Sequence, residues 1–511
     1  MAFQYAFVSL YSLVLVVLSI YGMHRYYLVY LYYRNRNHEI KPAGHFAELP
    51  KVTVQLPMYN EMHVAERIIE ACCAIDYPRD RLEIQVLDDS TDETVQIASQ
   101  CAERMRALGH NVAYLHRDNR HGFKAGALHY GMEQASGEFL AIFDADFIPE
   151  PDILLRTIHF FTNPKVGVVQ ARWDHLNRDH SMLTKSQAIF LDGHFIIEKT
   201  ARNRTGRIVN FSGTAGLWRR DAITTSGGWE HDTLTEDLDL SYRAQMAGWE
   251  FVFLPDVVSP AELPPEMNAF KHQQFRWTKG GAQTCVKLLP RILRSNLPLA
   301  VKIESFFHLT SVFTYLLMVL LTLMMFPALY IKMTNVGLSG LVSSLIDTGL
   351  FVLATCSGST FYLCSQAEIF RSWRDKIKYL PFLMSLGIGI SLINTKAVLE
   401  VIFRKKSDFV RTPKFGQSSS ADQSWKKRAE SCRQKMDWMP VIEFAFGLYA
   451  TLCAYLSVAI SGQLAIGLPF LFMFMFGYFY VSLTTVLSSR SARKGSSPAA
   501  EPKPAAQIID P

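Results

Sequence analysis

The sequence predicts an α/β domain on a mainly parallel sheet, inserted between an N-terminal transmembrane helix and a C-terminal α-helical transmembrane bundle. Three observations carry this prediction. Long apolar blocks lie towards both ends of the 511-residue chain. Strand and helix patterns alternate between them, which implies a parallel sheet covered on both faces. Hydrophobic residues make up 49% and charged residues only 19%, a more apolar balance than that of ordinary soluble domains.

The elements follow in order. Residues 3–23 carry no charge, and a stretch of roughly 20 such residues can cross a bilayer as a helix. With no basic segment before it and no small-residue cleavage site, it reads as an anchor, not a removed signal peptide; helix and flank occupy 1–35. From 45 to 278 the pattern is that of a soluble domain. "VTVQLP" (52–57), "LEIQVLDD" (82–89), "NVAYLH" (111–116) and "EFLAIFDAD" (138–146) read as buried strands, with helical patterns at 61–75, 92–108 and 123–135. Residues 279–302 mix Lys and Arg with Leu and Ile and read as an interfacial segment broken by Pro290 and Pro298. Apolar blocks return at 305–330, 342–364, 380–403, 439–460 and 464–487, so that 303–403 and 439–489 form the membrane region. The block 380–403 contains Asn394, Lys396 and Glu400, which are costly in lipid. It is therefore assigned to the interface or the protein interior, leaving about five spans. The 404–438 loop has ten Lys or Arg against four acids, and the tail 490–511, rich in Pro, Ala and Ser, is expected to be disordered.

The positive-inside rule places the N-terminus outside, and the α/β domain, the 404–438 loop and the C-terminus inside. This is an integral multi-pass protein of a plasma or inner membrane, with its soluble domain cytoplasmic. The eight cysteines show no C-x-x-C spacing, which excludes a zinc or disulfide framework and suits a reducing compartment. Membrane lipids are expected partners and nucleic acid is not, although the net charge is +6.

In such sheets ligands bind beyond the carboxyl ends of the strands. Here those ends are "PMYNE", "DDSTDET" and "DADF". "DAD" sets Asp144 and Asp146 two apart. Strand alternation would turn one inward and the other to the ligand side, which makes Asp146 the better ligand for a divalent cation on a diphosphate. A solvated strand end with a turn-forming Asp has the same pattern. Asp88 and Asp89 suit a base or ribose, or an N-cap for the next helix. Lys124, in "HGFKAGALHYGM", suits phosphates or simply a helix start. "LTEDLDLSYRAQMAGW" gathers Glu236, Asp237 and Asp239 where a helix begins, and negative charge is favoured there in any case. In "HQQFRW", Arg276 can grip phosphate oxygens as a fork and Trp277 offers a flat face to a sugar ring, with Gln273 beside them. An aromatic and basic membrane belt would look alike.

Taken in order, "DDST", "DAD", "TED" and "QQFRW" resemble the membrane-bound family 2 glycosyltransferases of the cellulose synthase superfamily. "RDNRHGFKAGAL", "AIFDADFIPEPD", "FSGTAGLWRR" and "HQQFRW" look especially like the cellulose-synthase-like mannan and glucomannan synthases. The resemblance covers roughly 50–420. It implies a GT-A (Rossmann-like) fold and an inverting transfer of hexose from GDP-mannose or UDP-glucose to a growing β-linked, β-1,4 polysaccharide coupled to its translocation. Whether a periplasmic or cell-envelope partner receives the exported chain is a question the sequence leaves open. By position, Tyr59, Asp88 and Asp89 would hold the nucleotide base, and Lys124 and Arg276 would lie on the nucleotide and pyrophosphate. Asp144 and Asp146 would carry Mg²⁺ or Mn²⁺, and Asp237 would be the base with Glu236 as its neighbour. Ser212, Gly213, Thr214, Gln273 and Trp277 would border the acceptor. In the family's gating-loop pattern F-x-V-T-x-K, "FVRTPKFG" keeps Phe409, Thr412 and Lys414 in register but has Arg411 in place of Val. Two other readings share parts of the pattern: a nonprocessive transferase acting on a membrane lipid, and an inactive membrane scaffold or transporter.

Overall fold

The computed structural model describes residues 2–334, 338–405, 414, 416, 438–461 and 467–494. Seven strands make one sheet: β1 (Val52–Met58), β2 (Leu82–Asp88), β3 (Val112–His116), β4 (Phe139–Ile142), β5 (Val166–His175), β6 (Gly216–Arg219) and β7 (Glu250–Ala261). Their spatial order is β3-β2-β1-β4-β6-β5-β7. β1 to β4 are mutually parallel, β6 runs antiparallel to β4 and β5, and β7 is parallel to β5.

Residue alternation builds a core on each face of this sheet. In β4, Phe139 and Ala141 join one apolar cluster with the helices Ala65–Cys73 and Thr94–Ala107, while Leu140 and Ile142 join the other with Leu128, Trp218 and Leu240. The polar residues of β1 are buried as well, and each finds a partner on β2: Thr53 Oγ1 donates to Glu83 at 2.6 Å, and Gln55 Nε2 to Gln85 Oε1 at 3.1 Å. These bonds remove most of the penalty of burying such groups.

Strand β4 stops at Ile142, earlier than its sequence pattern suggests. Asp144 and Asp146 therefore lie in the turn beyond it, and strand alternation does not separate them.

Among the described residues, five stretches are long and apolar enough to cross a membrane: Ala6–Asn35, Leu299–Ile331, Trp373–Ile402, Met439–Ala459 and Leu468–Ser488. The count matches the expected five, but the membership differs: the third contains the block assigned above to the interface or the protein interior, and 342–364 is not among the five. Two thirds (67%) of its apolar window is buried inside the protein; Asn394 is fully covered, and Lys396 and Glu400 are partly so. The block 342–364 lies within another helix, Leu338–Ile369. One of the two breaks expected in 279–302 is corrected. Pro290 lies inside the continuous helix Met267–Arg294, and only Pro298 marks a break, at the N-cap of Leu299–Thr310. Lys279 is buried, 2.7 Å from Glu400. The last described helix runs on to Lys494, and the remainder of the tail lies outside the described residues.

Candidate active site

The carboxyl ends of β1, β2 and β4 open into a cleft of about 190 Å³, closed by the helices Glu236–Met246 and Met267–Arg294. It brings together Tyr59, Asp89, Lys124, Asp144, Asp146, Ser212, Gly213, Glu236, Asp237, Gln273, Arg276, Trp277 and Lys414. Residues more than 200 positions apart in the sequence thus share one space.

Two expected contributors stand outside it. Asp88 is fully buried and shapes the loop: its carboxylate accepts from the Ser90 amide at 2.9 Å and the Tyr114 hydroxyl at 2.6 Å. Thr214 is also fully buried and accepts from the Asp144 amide at 2.8 Å, so it supports the "DAD" turn from behind and does not face an acceptor. Phe409 and Thr412 lie outside the described residues. Lys414 reaches the cleft, where its Nζ is 2.6 Å from Asp146 Oδ2 and 3.2 Å from the Glu262 carbonyl.

Around Tyr59 and Asp89 the cleft has partners that motif reading missed. Arg117 holds Asp89 as a fork, with Nε and Nη2 at 2.6 and 2.5 Å. The Arg120 guanidinium lies 3.4 Å from the centre of the Tyr59 ring. Both arginines belong to "RDNRHGFKAGAL", and the signal for them was charge next to a glycine-rich helix start. Gly122, at φ +72°, takes a conformation that a side chain would strain.

Beside Asp237, Lys124 Nζ bonds Asp144 Oδ1 at 2.5 Å and the Gly213 carbonyl at 2.9 Å. Burial works against its charge, but Asp144, Glu236 and Asp237 outweigh this and hold the ammonium above its ordinary range. Arg276 is pulled the other way, its pKa lowered by burial despite Asp144, Glu236, Asp237 and Asp146 around it. Asp237 accepts from the Leu238 amide at 2.8 Å through Oδ1. Burial raises its pKa, with Lys124 opposing. Burial, and then repulsion by Asp237, lifts Glu236 to about 7.

The acid pair fits a hard divalent cation. Both donors are carboxylates, and each already meets a cation, Lys124 on Asp144 and Lys414 on Asp146. Two carboxylates leave positions for phosphate oxygens and water, the usual arrangement for Mg²⁺ at a nucleotide. A denser acidic group elsewhere, Glu230, Asp232 and Asp239, surrounds the ammonium of Lys287 at 2.5, 2.8 and 3.0 Å.

Sheet order, cleft position and acid placement define a GT-A-like domain, and residues 50–280 match the family described as Glycosyltransferase like family 2. This part of the chain is a glycosyltransferase family 2 domain. Over 252 residues it is 46% identical to a probable glucomannan 4-beta-mannosyltransferase 7 of Oryza sativa subsp. japonica, covering 48% of this chain and 43% of that protein. Over 289 residues it is 40% identical to glucomannan 4-beta-mannosyltransferase 9 of Arabidopsis thaliana, covering 55% and 54%. The chain thus spans about half the length of the curated relatives it matches. Among solved structures, the mannosyltransferase PcManGT from Pyrobaculum calidifontis, in complex with GDP-Man and Mn²⁺, aligns over 78% of this chain and all of its own, with a TM-score of 0.52 and 20% identity. That likeness bears on the fold.

Proposed function

We propose that the protein is a membrane-embedded inverting hexosyltransferase that moves a mannosyl unit from GDP-mannose onto a growing β-linked polysaccharide. The observation that carries this reading is the placement of Asp237. Its carboxylate stands in the same cleft as Asp144, Asp146, Lys124 and Arg276, so a base and a diphosphate site meet across one small space. The mannosyltransferase relatives and the GDP-Man complex of the structural neighbour support mannose as the sugar.

A sugar hydroxyl attacks weakly until a base takes its proton, and a positioned carboxylate supplies roughly 10²–10⁴-fold by that route. Asp237 takes the acceptor proton, the acceptor oxygen bonds C1, and the bond from C1 to the diphosphate breaks on the opposite face. A single base serves this displacement. Lys124 and Arg276 meet charge developing on the leaving diphosphate. Asp144 and Asp146 would hold Mg²⁺ or Mn²⁺, which when bound neutralises part of that same charge. Trp277, packed 6.5 Å from Trp173, gives the acceptor ring an apolar wall. The domain faces the cytoplasm, because the basic segments then lie on one side, and the membrane helices carry the product outward.

The test is a donor screen in nanodiscs, comparing GDP-mannose with UDP-glucose, followed by linkage analysis. Label in a high-mass β-mannosyl product supports the reading. Label confined to extractable lipid replaces the polymer with a lipid acceptor, and absence of nucleotide release with every donor removes the enzyme reading.

A further inference from the structure

Lys199 is a buried amine that the scheme above leaves unused. It ends a seven-residue π-helical stretch, Gly193–Lys199. This wide winding is rare and recurs at functional sites. Its side chain is fully covered, and its Nζ lies 4.8 Å from the centre of the Phe195 ring and 5.7 Å from that of Phe253. Its hydrogen bond goes to a neutral group, Ser212 Oγ at 2.6 Å, and it makes no ion pair among the described residues. An uncompensated ammonium in such a place is costly. Burial, with Arg202 adding to it, holds the amine well below its ordinary pKa against the pull of Asp237 and Glu198.

What Lys199 grips is the turn under the base. Ser212 is also fixed through its amide, which donates to Gln170 Oε1 at 2.8 Å, and the next residue through its carbonyl, which accepts from Lys124. Gly213 sits at φ +78°, and a Cβ there would stand 3.1 Å from Asp237 Oδ2. The turn and the carboxylate are therefore close neighbours across the cleft wall, and a shift of Ser212 moves the surface beside Asp237 that an acceptor would meet.

We propose that Lys199 is a positioning residue for the transfer reaction, which locks the Ser212–Gly213 turn against Asp237 from beneath and so aligns the acceptor hydroxyl with its base. This rests on the functional reading above. Lys199 does not line the cleft, so its effect belongs in turnover and acceptor use, not in nucleotide binding.

The experiment compares wild type with Lys199→Met, Lys199→Gln and Ser212→Ala in nanodiscs, reading kcat, donor KM, GDP affinity and Tm. Misplacement of a reacting group by about 1 Å costs on the order of 10²-fold. Lys199→Met is expected to lose turnover on that scale with GDP affinity within about twofold. Lys199→Gln, which retains a donor for Ser212, recovers part of the loss. Ser212→Ala reproduces the defect, and the double variant Lys199→Met/Ser212→Ala adds little to it. Turnover within about twofold of wild type in Lys199→Met or in Ser212→Ala overturns the proposal. So does a loss matched by an equal loss of GDP affinity. Should Lys199→Met fail to fold, Ser212→Ala and Lys199→Gln decide. Inactivity of the wild type with every donor would count against the enzyme reading itself, whereas an active wild type with indifferent variants counts against Lys199 alone.

Discussion

Asp237 and Glu236 are neighbours in sequence, and substitution separates the roles proposed for them. Asp237→Asn keeps the shape and removes the proton acceptor. Turnover is expected to fall by ~10²–10⁴ while GDP affinity stays near wild type; calorimetry beside a turnover assay checks it, and wild-type turnover would end the base assignment. For Glu236 the prediction concerns stability. Burial and repulsion raise its folded pKa from 4.5 to about 7, so the folded state holds that proton more tightly than the unfolded chain. The resulting stability is present below the ordinary value and is lost as pH rises through about 7. Glu236→Gln removes the titration, and its Tm should decline less from about pH 5 to about pH 8 than that of wild type. Parallel declines would show that Glu236 does not titrate there. Motifs announced both acids because their chemistry is local. The burial of Asp88 and Thr214 was not readable in the same way, since it depends on residues distant in the chain, such as Tyr114 for Asp88 and Asp144 for Thr214.

At the scale of elements, β1 to β4 were legible because each is a short apolar run followed by a helical period. The far half of the sheet was not. β7 contains Pro255 and Pro260, which argue against a central strand; β7 lies at the sheet edge, where a missing backbone donor is tolerated. β6 has only four residues and runs against its neighbours, so strand–helix alternation gave no sign of it. The "FSGTAG" turn that leads into β6 is where backbone shape matters most. A side chain at Gly213 would pay roughly 1–2 kcal/mol for the left-handed conformation. It would also press on Asp237 Oδ2 and, 3.4 Å away, on Lys124 Nζ. Gly213→Ala should therefore lower unfolding stability by about 1 kcal/mol and reduce turnover more than that loss of folded protein explains. Full turnover per folded molecule would mean that the turn yields without disturbing the base.

For the whole molecule, the question is how a soluble catalytic unit is held in register with helices in a membrane. Arg202 Nε meets Glu304 Oε1 at 2.9 Å, Lys279 meets Glu400 at 2.7 Å, and Lys271 meets Glu443 at 2.6 Å. Each pair joins the catalytic domain or its last helix to a segment of the apolar region. Of these charges sequence reading singled out only Glu400, as costly in lipid, because the partners lie 102 to 172 residues apart along the chain. The Lys271–Glu443 pair is the sharpest case, with side chains 7% and 0% exposed. Removing one member of such a pair strands the other charge and typically costs about 3–5 kcal/mol, whereas replacing both with apolar residues of similar volume is often neutral or stabilising. Glu443→Leu and Lys271→Met should each lower Tm and folded yield sharply, and the double variant should regain most of both. Thermal unfolding of the purified proteins measures it, and a double variant no better than the worse single one would refute a direct pairing. Turnover then reports what the pair is for. Lys271 lies in the helix that carries Gln273, Arg276 and Trp277, so a charged pair fixes that helix on Met439–Ser461 in one register, whereas an apolar contact permits sliding. A double variant that is stable but slow, with GDP affinity intact, would show that the pair aligns the acceptor wall with the membrane helices; one that is stable and fully active would confine the pair to holding the two parts together.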